Sequence, residues 1–485
     1  MLTRTLTCLA ACLLLAPLSQ AAPSAPDAPP NILLFLVDDL GARDIGVGGS
    51  EYYLTPHVDR LAEGGVMFTQ AYASYPRCVP SRFAIVTGRN PAREGVPGRS
   101  EKLDAVNLTV ARALQENGYG TYFLGKWHLG EAGEGNGPED RGFDVNIGGG
   151  KAGAPGSYTY PFDVKKGKGK DNDKEEGSMP GLEEGVEGEQ LTDRLTRDAD
   201  RLIREHFEKN SDKPFFMELS HYGVHTPLED GPEKIKQFEQ RLKEMPKADG
   251  PDHVDADRDG TTKQQQDHPT YAAMVSRVDD SLGTLMDTLE ELGVADNTLI
   301  VFTSDHGGLS NRGLKRNREL ATSNLPLRAG KGHLFEGGIR VPLIVRWPGK
   351  IPAGGTSEFI TTGADHFPSF LAAAGLPLKP KAHIDGDSYL DAAMDPGVQR
   401  NEPVYWHNPR PRPNSTGDHG SSAVRVGDWK LIQWYDIDDV DLYHLTQDPG
   451  EENDLAEDEP AKVEELSALL DAWLESIDAV ESREK

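Results

Sequence analysis

The sequence predicts an α/β fold in which helices sandwich a large, mostly parallel sheet. In the stretch 31–37, residues 32–37 are continuously apolar, which is typical of a strand buried on both faces. Strand patterns alternate with helical ones, as where the amphipathic stretch 191–209 precedes the apolar stretch 214–220. Several strands end in Asp, His or Lys. A ligand site is therefore expected beyond the carboxyl ends of the strands.

The elements follow in order along the chain. Glycines stop a helix at 58–65, and Pro80 suits the first turn of a helix at 79–88. Residues 108–130 predict a helix, a glycine stop and a strand at 119–124. The remaining predictions are helices at 191–209 and 271–293 and strands at 214–220, 298–307 and 341–349.

Composition divides the chain further. Stretches 148–190, 229–268 and 407–422 are rich in charge, glycine or proline and are expected to be irregular. After about 395, short antiparallel strands and a helix at 461–477 predict a smaller C-terminal α+β subdomain. The expected organisation is a signal peptide at 1–21, a catalytic domain at 22–395 and this subdomain at 396–485.

The N-terminus has the pattern of a secretory signal peptide. Arg4 precedes an apolar stretch, and small residues before Ala21 suit cleavage there. The protein is therefore expected to be secreted or periplasmic. We expect no membrane span, because no other apolar run is long enough.

The charge balance restricts the partners. The chain has 79 Asp and Glu against 51 Lys and Arg, a formal net charge of −28. This excess disfavours nucleic acid as a partner. An anionic substrate would need a local cationic pocket that works against the overall field.

The cysteine count draws attention to one residue. Cys8 and Cys12 would leave with the signal peptide, so Cys78 has no intramolecular partner in the mature chain. A buried free thiol is the simplest interpretation. The neighbouring Arg77 and Arg82 instead favour a chemical role.

The polar residues at the strand ends suggest a reaction. Carboxylates of Asp38, Asp39 and Asp305 suit a hard divalent cation such as Ca²⁺. Positive charge for an oxyanion could come from Arg82, Lys126, His128, His225 and Lys331. These residue types predict metal-assisted hydrolysis of a phosphate or sulfate ester and do not choose between the two.

Ordered motifs carry a family resemblance. "CVPSR" at 78–82 with "TGR" at 87–89 matches C-x-P-S-R and its downstream T-G-R, and "GKWHLG" (125–130), "TSDHG" (303–307) and "GKGHLFEGG" (330–338) follow. Over nearly its whole mature length the chain resembles the type I, formylglycine-dependent sulfatases of the alkaline phosphatase superfamily, especially secreted bacterial polysaccharide sulfatases. The resemblance implies an alkaline-phosphatase-like fold. It also implies that a formylglycine-generating or maturase enzyme oxidises Cys78 to Cα-formylglycine (3-oxoalanine).

The same resemblance assigns roles. It implies one Ca²⁺ held by Asp38, Asp39, Asp305 and His306, with modified Cys78 facing it; His306 stands where many relatives have Asn. Arg82 would steady this region, His128 would act as a base, and Lys126, His225 and Lys331 would contact the sulfate or the leaving oxygen. One hydroxyl of the hydrated aldehyde would attack sulfur, and the second would later expel sulfate.

The resemblance also implies a sulfated saccharide as substrate, with galactose-type sugars sulfated at position 4 the nearest match. Segments 141–162 and 405–431 resemble parts that build the pocket rim, and candidate substrate contacts are His221, His407, Arg410 and Arg412. For His221 a structural role is the simpler interpretation. Two alternatives stay open: a formylglycine-dependent phosphate or phosphonate monoesterase, and a non-catalytic saccharide-binding homologue.

Overall fold

The computed structural model describes most of the chain beyond the N-terminus. The described residues are 28–94, 103, 108–131, 133–162, 179–210, 212–247, 249–256, 258, 260–315, 318–437 and 439–479. The predicted signal peptide at 1–21 and the lysine-rich run 165–177 lie outside this part of the chain. None of the described helices is long and apolar enough to cross a membrane.

Strands form in the order that the apolar runs predict. They are β1 (Asn31–Val37), β2 (Val66–Phe68), β3 (Ala71–Tyr72), β4 (Gly120–Gly125), β5 (Val145–Ile147), β6 (Phe215–His221), β7 (His253–Ala256), β8 (Gly260–Lys263), β9 (Thr298–Ser304), β10 (Asn311–Arg312), β11 (Leu343–Arg346), β12 (Gly355–Ser357), β13 (Thr361–Thr362), β14 (Val404–Asn408), β15 (Ser421–Val426), β16 (Trp429–Trp434) and β17 (Asp439–His444).

Helices alternate with these strands. They are α1 (Pro56–Glu63), α2 (Cys78–Thr87), α3 (Val110–Gln115), α4 (Leu191–Asn210), α5 (Pro232–Glu244), α6 (Pro269–Glu291), α7 (Glu336–Ile339), α8 (His366–Ala373), α9 (Leu390–Met394) and α10 (Pro460–Ser476). Single 3₁₀ turns occur at Pro91–Glu94, Glu139–Arg141, Ala295–Asn297 and Gly363–Asp365.

The main sheet has eight strands in the order β12-β2-β11-β9-β1-β6-β4-β5. All neighbouring pairs are parallel except those of β11, which runs antiparallel to both β9 and β2. The predicted mostly parallel α/β sheet is therefore confirmed. Strand β1 lies at its centre, between β9 and β6.

Both faces of the sheet are buried, as the continuous apolar runs predict. Alternate residues of β1 point to opposite faces. Leu33 and Phe35 pack in one core with helices α1, α4, α5 and α6, whereas Ile32 and Leu34 pack in a second core with α2, α3, α8 and α9. Every residue of β1 is buried, so both helical layers hold the central strand in a single register.

A second, antiparallel sheet follows in the C-terminal part of the chain. Its four strands run in the order β14-β15-β16-β17, and helix α10 packs on it through Leu466 and Leu470. A buried network joins this sheet to the catalytic part. Lys430 of β16 lies 3.0 Å from Oε1 of Glu336 and 2.8 Å from Oε1 of Glu451.

Two of the stretches predicted to be irregular contain regular structure. Within 229–268, helix α5 and the hairpin of β7 and β8 form, so that prediction was wrong for these residues. Helix α5 was not recognised in the sequence because most of its residues are charged or polar and Phe238 is its one buried residue. In stretch 407–422, only the two ends belong to strands, β14 up to Asn408 and β15 from Ser421. Residues 409–420 form a loop, because prolines interrupt strand pairing there.

Candidate active site

The ends of two central strands bring the predicted acidic residues together. Strands β1 and β9 are parallel neighbours with Val37 opposite Ser304. Asp39 and Asp305 therefore leave the same edge of the sheet, and the backbone N–H of Asp39 donates to Oδ1 of Asp305 at 3.2 Å. The backbone of Asp39 has φ of 62°. This uncommon left-handed conformation turns the chain sharply just where the carboxylates cluster.

Helix α2 presents Cys78 to this cluster. Cys78 is the first helical residue, after the extended backbone of Arg77, and is buried. Two residues of the first turn anchor the helix, since the hydroxyl of Ser81 donates to the carbonyl of Asp305 and Nε of Arg82 lies 2.9 Å from Oδ2 of Asp305. The helix N-terminus, which favours negative charge, therefore faces the strand ends.

The carboxylates, the thiol and an imidazole form a compact donor cluster. Sγ of Cys78 lies 3.7 Å from Oδ1 of Asp38 and 3.2 Å from Nε2 of His306. One candidate ligand atom each from Asp38, Cys78, Asp305 and His306 lies within 4.8 Å of the others. Nε2 of His306 is also 3.2 Å from Oδ1 of Asp39.

This cluster fits a divalent cation. Oδ2 of Asp39 is buried and has no hydrogen-bond partner among the described residues, which is costly for a carboxylate oxygen unless a cation lies nearby. Burial raises the pKa of Asp39, but nearby positive charge, that of Lys331 above all, outweighs it and holds that pKa well below its usual value. The Asp39 carboxylate is therefore ionised and available as an oxygen ligand.

Two lysines supply fixed positive charge. Lys126, directly after β4, forms a fully buried ion pair with Asp38. Nζ of Lys331 lies 2.6 Å from Oδ1 of Asp39 and 3.6 Å from Sγ of Cys78. Burial lowers the pKa of Lys331, but Asp39 and Cys78 outweigh it and raise the pKa to about 12. The ammonium group is charged at any physiological pH.

Two histidines face the same space in neutral form. Nε2 of His225 lies 3.8 Å from Oδ2 of Asp39, and His128 interacts with the side chain of Cys78. Burial lowers the pKa of both imidazoles. Nδ1 of His128 has no hydrogen-bond partner among the described residues. A neutral imidazole beside residue 78 can accept a proton from it.

The six predicted catalytic side chains meet at the base of one cavity or directly behind it. The cavity has a volume of about 560 Å³ and is lined by Cys78, His128, His225 and Lys331. Arg82 and Lys126 lie behind this surface, where the guanidinium donates to the Lys126 carbonyl at 2.7 Å. Both predicted rim segments contribute, 141–162 through Lys151 and 405–431 through Arg412, Ser415 and Thr416.

Of the predicted substrate contacts, His221, His407 and Arg410 do not line this cavity. His221 is buried and lies 2.9 Å from the hydroxyl of Ser281. His407 is buried in strand β14, 2.7 Å from the hydroxyl of Ser422. Arg412 is the one predicted contact that does line the cavity.

The charged cavity residues Glu131, Glu134, Lys151 and Arg318 were not singled out from the sequence, although Lys151 lies in the predicted rim segment 141–162. Lys151 follows the glycine run 148–150, a signal of close backbone approach that could have indicated it. Arg318 lies in a charged stretch that carries no comparable signal. Its position depends on chain folding alone.

Comparison with known proteins agrees with this geometry. The sulfatase family model matches residues 30–376, and that of the N-sulphoglucosamine sulphohydrolase C-terminal region matches residues 330–479. The N-acetylgalactosamine-6-O-sulfatase of Bacteroides thetaiotaomicron is 28% identical, over 91% of this chain and 93% of that protein. Human arylsulfatase A is 31% identical, over 85% of this chain and 76% of that protein.

Solved structures agree as well. The crystal structure of Ps i-CgsB has a TM-score of 0.74 and 31% identity, over 92% of each chain. The same protein in complex with k-i-k-neocarrahexaose has a TM-score of 0.73. The fold, the motif order and the assembled residues lead to one conclusion: the chain belongs to the sulfatase family and is a sulfuric ester hydrolase.

Proposed function

We propose that the protein removes sulfate from a sulfated saccharide, with Cys78 converted to formylglycine and Ca²⁺ as the cation. One observation carries this proposal. Sγ of residue 78 lies 3.7 Å from Oδ1 of Asp38, 3.2 Å from Nε2 of His306 and 3.6 Å from the ammonium group of Lys331. A nucleophile in this position is close both to a cation site and to a fixed charge for the sulfate oxygens.

The side chains of Asp38, Asp39, Asp305 and His306 would hold the cation, which would stabilise negative charge on the transferring sulfate. As a hydrated aldehyde, residue 78 would supply both the attacking hydroxyl and a second hydroxyl for release of sulfate. A cysteine thiol has no such second group. The modification therefore explains why an exported chain would keep a single mature cysteine here.

The chain's own groups provide the proton transfers. His128, neutral and in contact with side chain 78, would accept the proton of the attacking group and later assist sulfate release. His225 and Lys331 line the cavity and would bind the sulfate oxygens, and the ammonium group of Lys331 would protonate the leaving oxygen. Arg82 touches no cavity surface and holds Asp305 and the Lys126 carbonyl in place.

A saccharide substrate is supported by the cavity and by similar proteins. Glu131, Glu134 and Asn136 line one part of the cavity and can bind sugar hydroxyl groups. Two of the similar proteins are named for N-acetylgalactosamine 6-sulfate, and a third is solved with a neocarrahexaose. We propose a galactose-type sugar at the end of its chain, with a 4-sulfate as the first position to test.

The test is release of sulfate from oligosaccharides of galactose, N-acetylgalactosamine, glucosamine and uronate, each sulfated at one known position. Aryl sulfate and aryl phosphate are assayed in parallel, because preferential phosphate hydrolysis would indicate the phosphomonoesterase alternative. Hydrolysis of aryl sulfate with no sulfated saccharide cleaved would reject the carbohydrate substrate. Release of internal sulfates alone would reject attack on the terminal sugar.

The modification has its own test. Mass spectrometry of a peptide spanning residues 77–82 should find formylglycine at 78 after coexpression with a formylglycine-generating or maturase enzyme. Cys78→Ala should lose at least about a thousandfold in kcat/KM and keep its thermal unfolding midpoint. Wild-type turnover by this variant would exclude residue 78 as the nucleophile.

We also propose export from the cytoplasm with cleavage after Ala21, on the basis of the N-terminal sequence pattern. N-terminal sequencing of the protein recovered from the periplasm or the medium tests this. Recovery of the intact N-terminus in the cytoplasm would reject it.

A further inference from the structure

Two arginines of the catalytic cavity have no carboxylate partner among the residues that the structure describes. Arg318 and Arg412 both line the cavity that contains Cys78, and within the described part of the chain neither forms an ion pair within 4.0 Å. Three other cations near Cys78 are paired, Arg77 with Asp418, Lys126 with Asp38 and Lys331 with Asp39, whereas the exposed Lys151 of the cavity lining also has no ion pair among the described residues. In a chain with a net charge of −28, a pair of uncompensated arginines at one site calls for a reason.

One short loop connects the two arginines. The carbonyl of Arg412 accepts hydrogen bonds from the backbone N–H groups of Ser415 at 2.9 Å, Thr416 at 3.0 Å and Gly417 at 3.2 Å. The hydroxyl of Ser415 accepts one from a guanidinium nitrogen of Arg318 at 3.2 Å. Ser415 therefore contacts both residues, and the loop is held by its own backbone before any ligand binds.

The same loop is tied to the nucleophile. Asp418 accepts hydrogen bonds from the backbone N–H of Arg412 at 3.2 Å and from the buried guanidinium of Arg77, the residue directly before Cys78. Arg318 and Arg412 line the same cavity as Cys78 and Lys331. The two arginines are thus close enough to act on a substrate bound at Cys78, in addition to the charges that hold its reacting sulfate.

Acidic and amide side chains line the same cavity as the two arginines. Glu131, Glu134 and Asn136 line it, with Lys151 among them. Carboxylates bind sugar hydroxyl groups and repel anionic groups, so an anionic substituent would be directed toward the arginines. Arginine is well suited to this task because its planar guanidinium binds sulfate or carboxylate oxygens in pairs.

We propose that Arg318 and Arg412 bind a second oxyanion of the substrate, and that the preferred substrate is a saccharide with two anionic groups. The second group is either another sulfate or the carboxylate of a uronate, each of which can present a pair of anionic oxygens to a guanidinium group. This inference rests on the proposed saccharide sulfatase activity and specifies its substrate class.

The experiment compares kcat/KM for three oligosaccharides that share the same reactive terminal sulfate. The first has no other anionic group, the second has an additional sulfate, and the third has a neighbouring uronate. The wild-type enzyme should prefer the second or the third over the first by about tenfold or more. This wild-type comparison needs no variant, and equal rates on all three would overturn the inference.

Variants then locate the preference. Arg318→Gln and Arg412→Gln should reduce the preference for the doubly charged saccharides to about onefold, mainly through a higher KM for these substrates. Arg318→Lys should retain part of the preference. Arg410→Gln is the matched control, because Arg410 is in the same loop outside the cavity lining. A preference that persists in both glutamine variants, or that is lost equally in Arg410→Gln, would overturn the assignment of these residues.

The saccharide sulfatase proposal and the second-oxyanion proposal are rejected by different results. Turnover of the singly charged saccharide at the same rate as the doubly charged ones leaves the saccharide sulfatase proposal intact and rejects the second-oxyanion site. Hydrolysis of aryl sulfate without turnover of any of the three saccharides rejects both.

Discussion

The ammonium group of Lys331 lies 2.6 Å from Oδ1 of Asp39, although the two residues are 292 positions apart in the chain. Asp39 follows the central strand, and Lys331 is on a glycine-bounded loop after β10. The pair connects the donor cluster to the cavity, because the same ammonium group is 3.6 Å from Sγ of Cys78. Both groups are buried, so solvent screens their interaction weakly.

Replacement of Lys331 should therefore reduce catalysis strongly. Lys331→Met removes the fixed charge for the sulfate oxygens, and we expect a fall in kcat/KM for aryl sulfate of about a hundredfold to a thousandfold. Lys350→Met is the control, since Lys350 is exposed and distant from the cavity. Equal activity of the two variants would contradict the role given to Lys331.

Removal of the cation should abolish activity reversibly. Three buried carboxylates converge at the site, so Asp39→Asn should bind less metal per protein, measured by elemental analysis, and lose most of its kcat. Exhaustive chelation of the wild-type enzyme should have the same effect on kcat, and added Ca²⁺ should restore it. Full turnover in protein with no measurable divalent metal would exclude the cation site.

Acid should destabilise the protein through His221. Burial lowers the pKa of His221 from 6.5 to about 3, so the unfolded chain takes up the proton first as pH falls. Stability is thus lost as pH falls below about 6.5, and this loss continues to about pH 3. When the pH is lowered from 7 to 5, the free energy of unfolding measured with denaturant should fall by about 2 kcal/mol less in His221→Gln than in the wild type.

The same variant separates a structural role from substrate binding. Gln can keep the hydrogen bond to Ser281 without titrating, so KM at pH 7.5 should stay within about threefold of the wild-type value. A large rise in KM would restore His221 as a substrate contact. Equal pH dependence of stability in the two proteins would show that His221 is not the group responsible.

The buried charge network of the C-terminal sheet should be essential for stability. Lys430→Met would leave Glu336 and Glu451 buried without their shared cation, and we expect a loss of about 3–5 kcal/mol in the free energy of unfolding. Lys209→Met, which removes an exposed ion pair with Glu205, is the matched control and should change stability far less. Similar small losses in both variants would contradict this role.

The main sheet and the chemical core could be predicted from the amino-acid sequence because both depend on local patterns. Continuous apolar runs identify β1 and β9 as buried strands, and parallel strands end at the same edge of a sheet. Asp38 and Asp305 were therefore expected near each other. The motif around Cys78 identified the family, and that resemblance supplied the roles of Lys126 and Lys331.

The sequence by itself thus determined the fold class and the reacting residues, and only the tertiary structure decided the surroundings of the substrate. His407 and Arg412 have similar polar contexts in sequence, yet one is buried against Ser422 and the other lines the cavity. Arg318 joins the cavity because it contacts Ser415, a residue 97 positions away. Such contacts depend on how loops pack against each other, and local periodicity carries no signal for that.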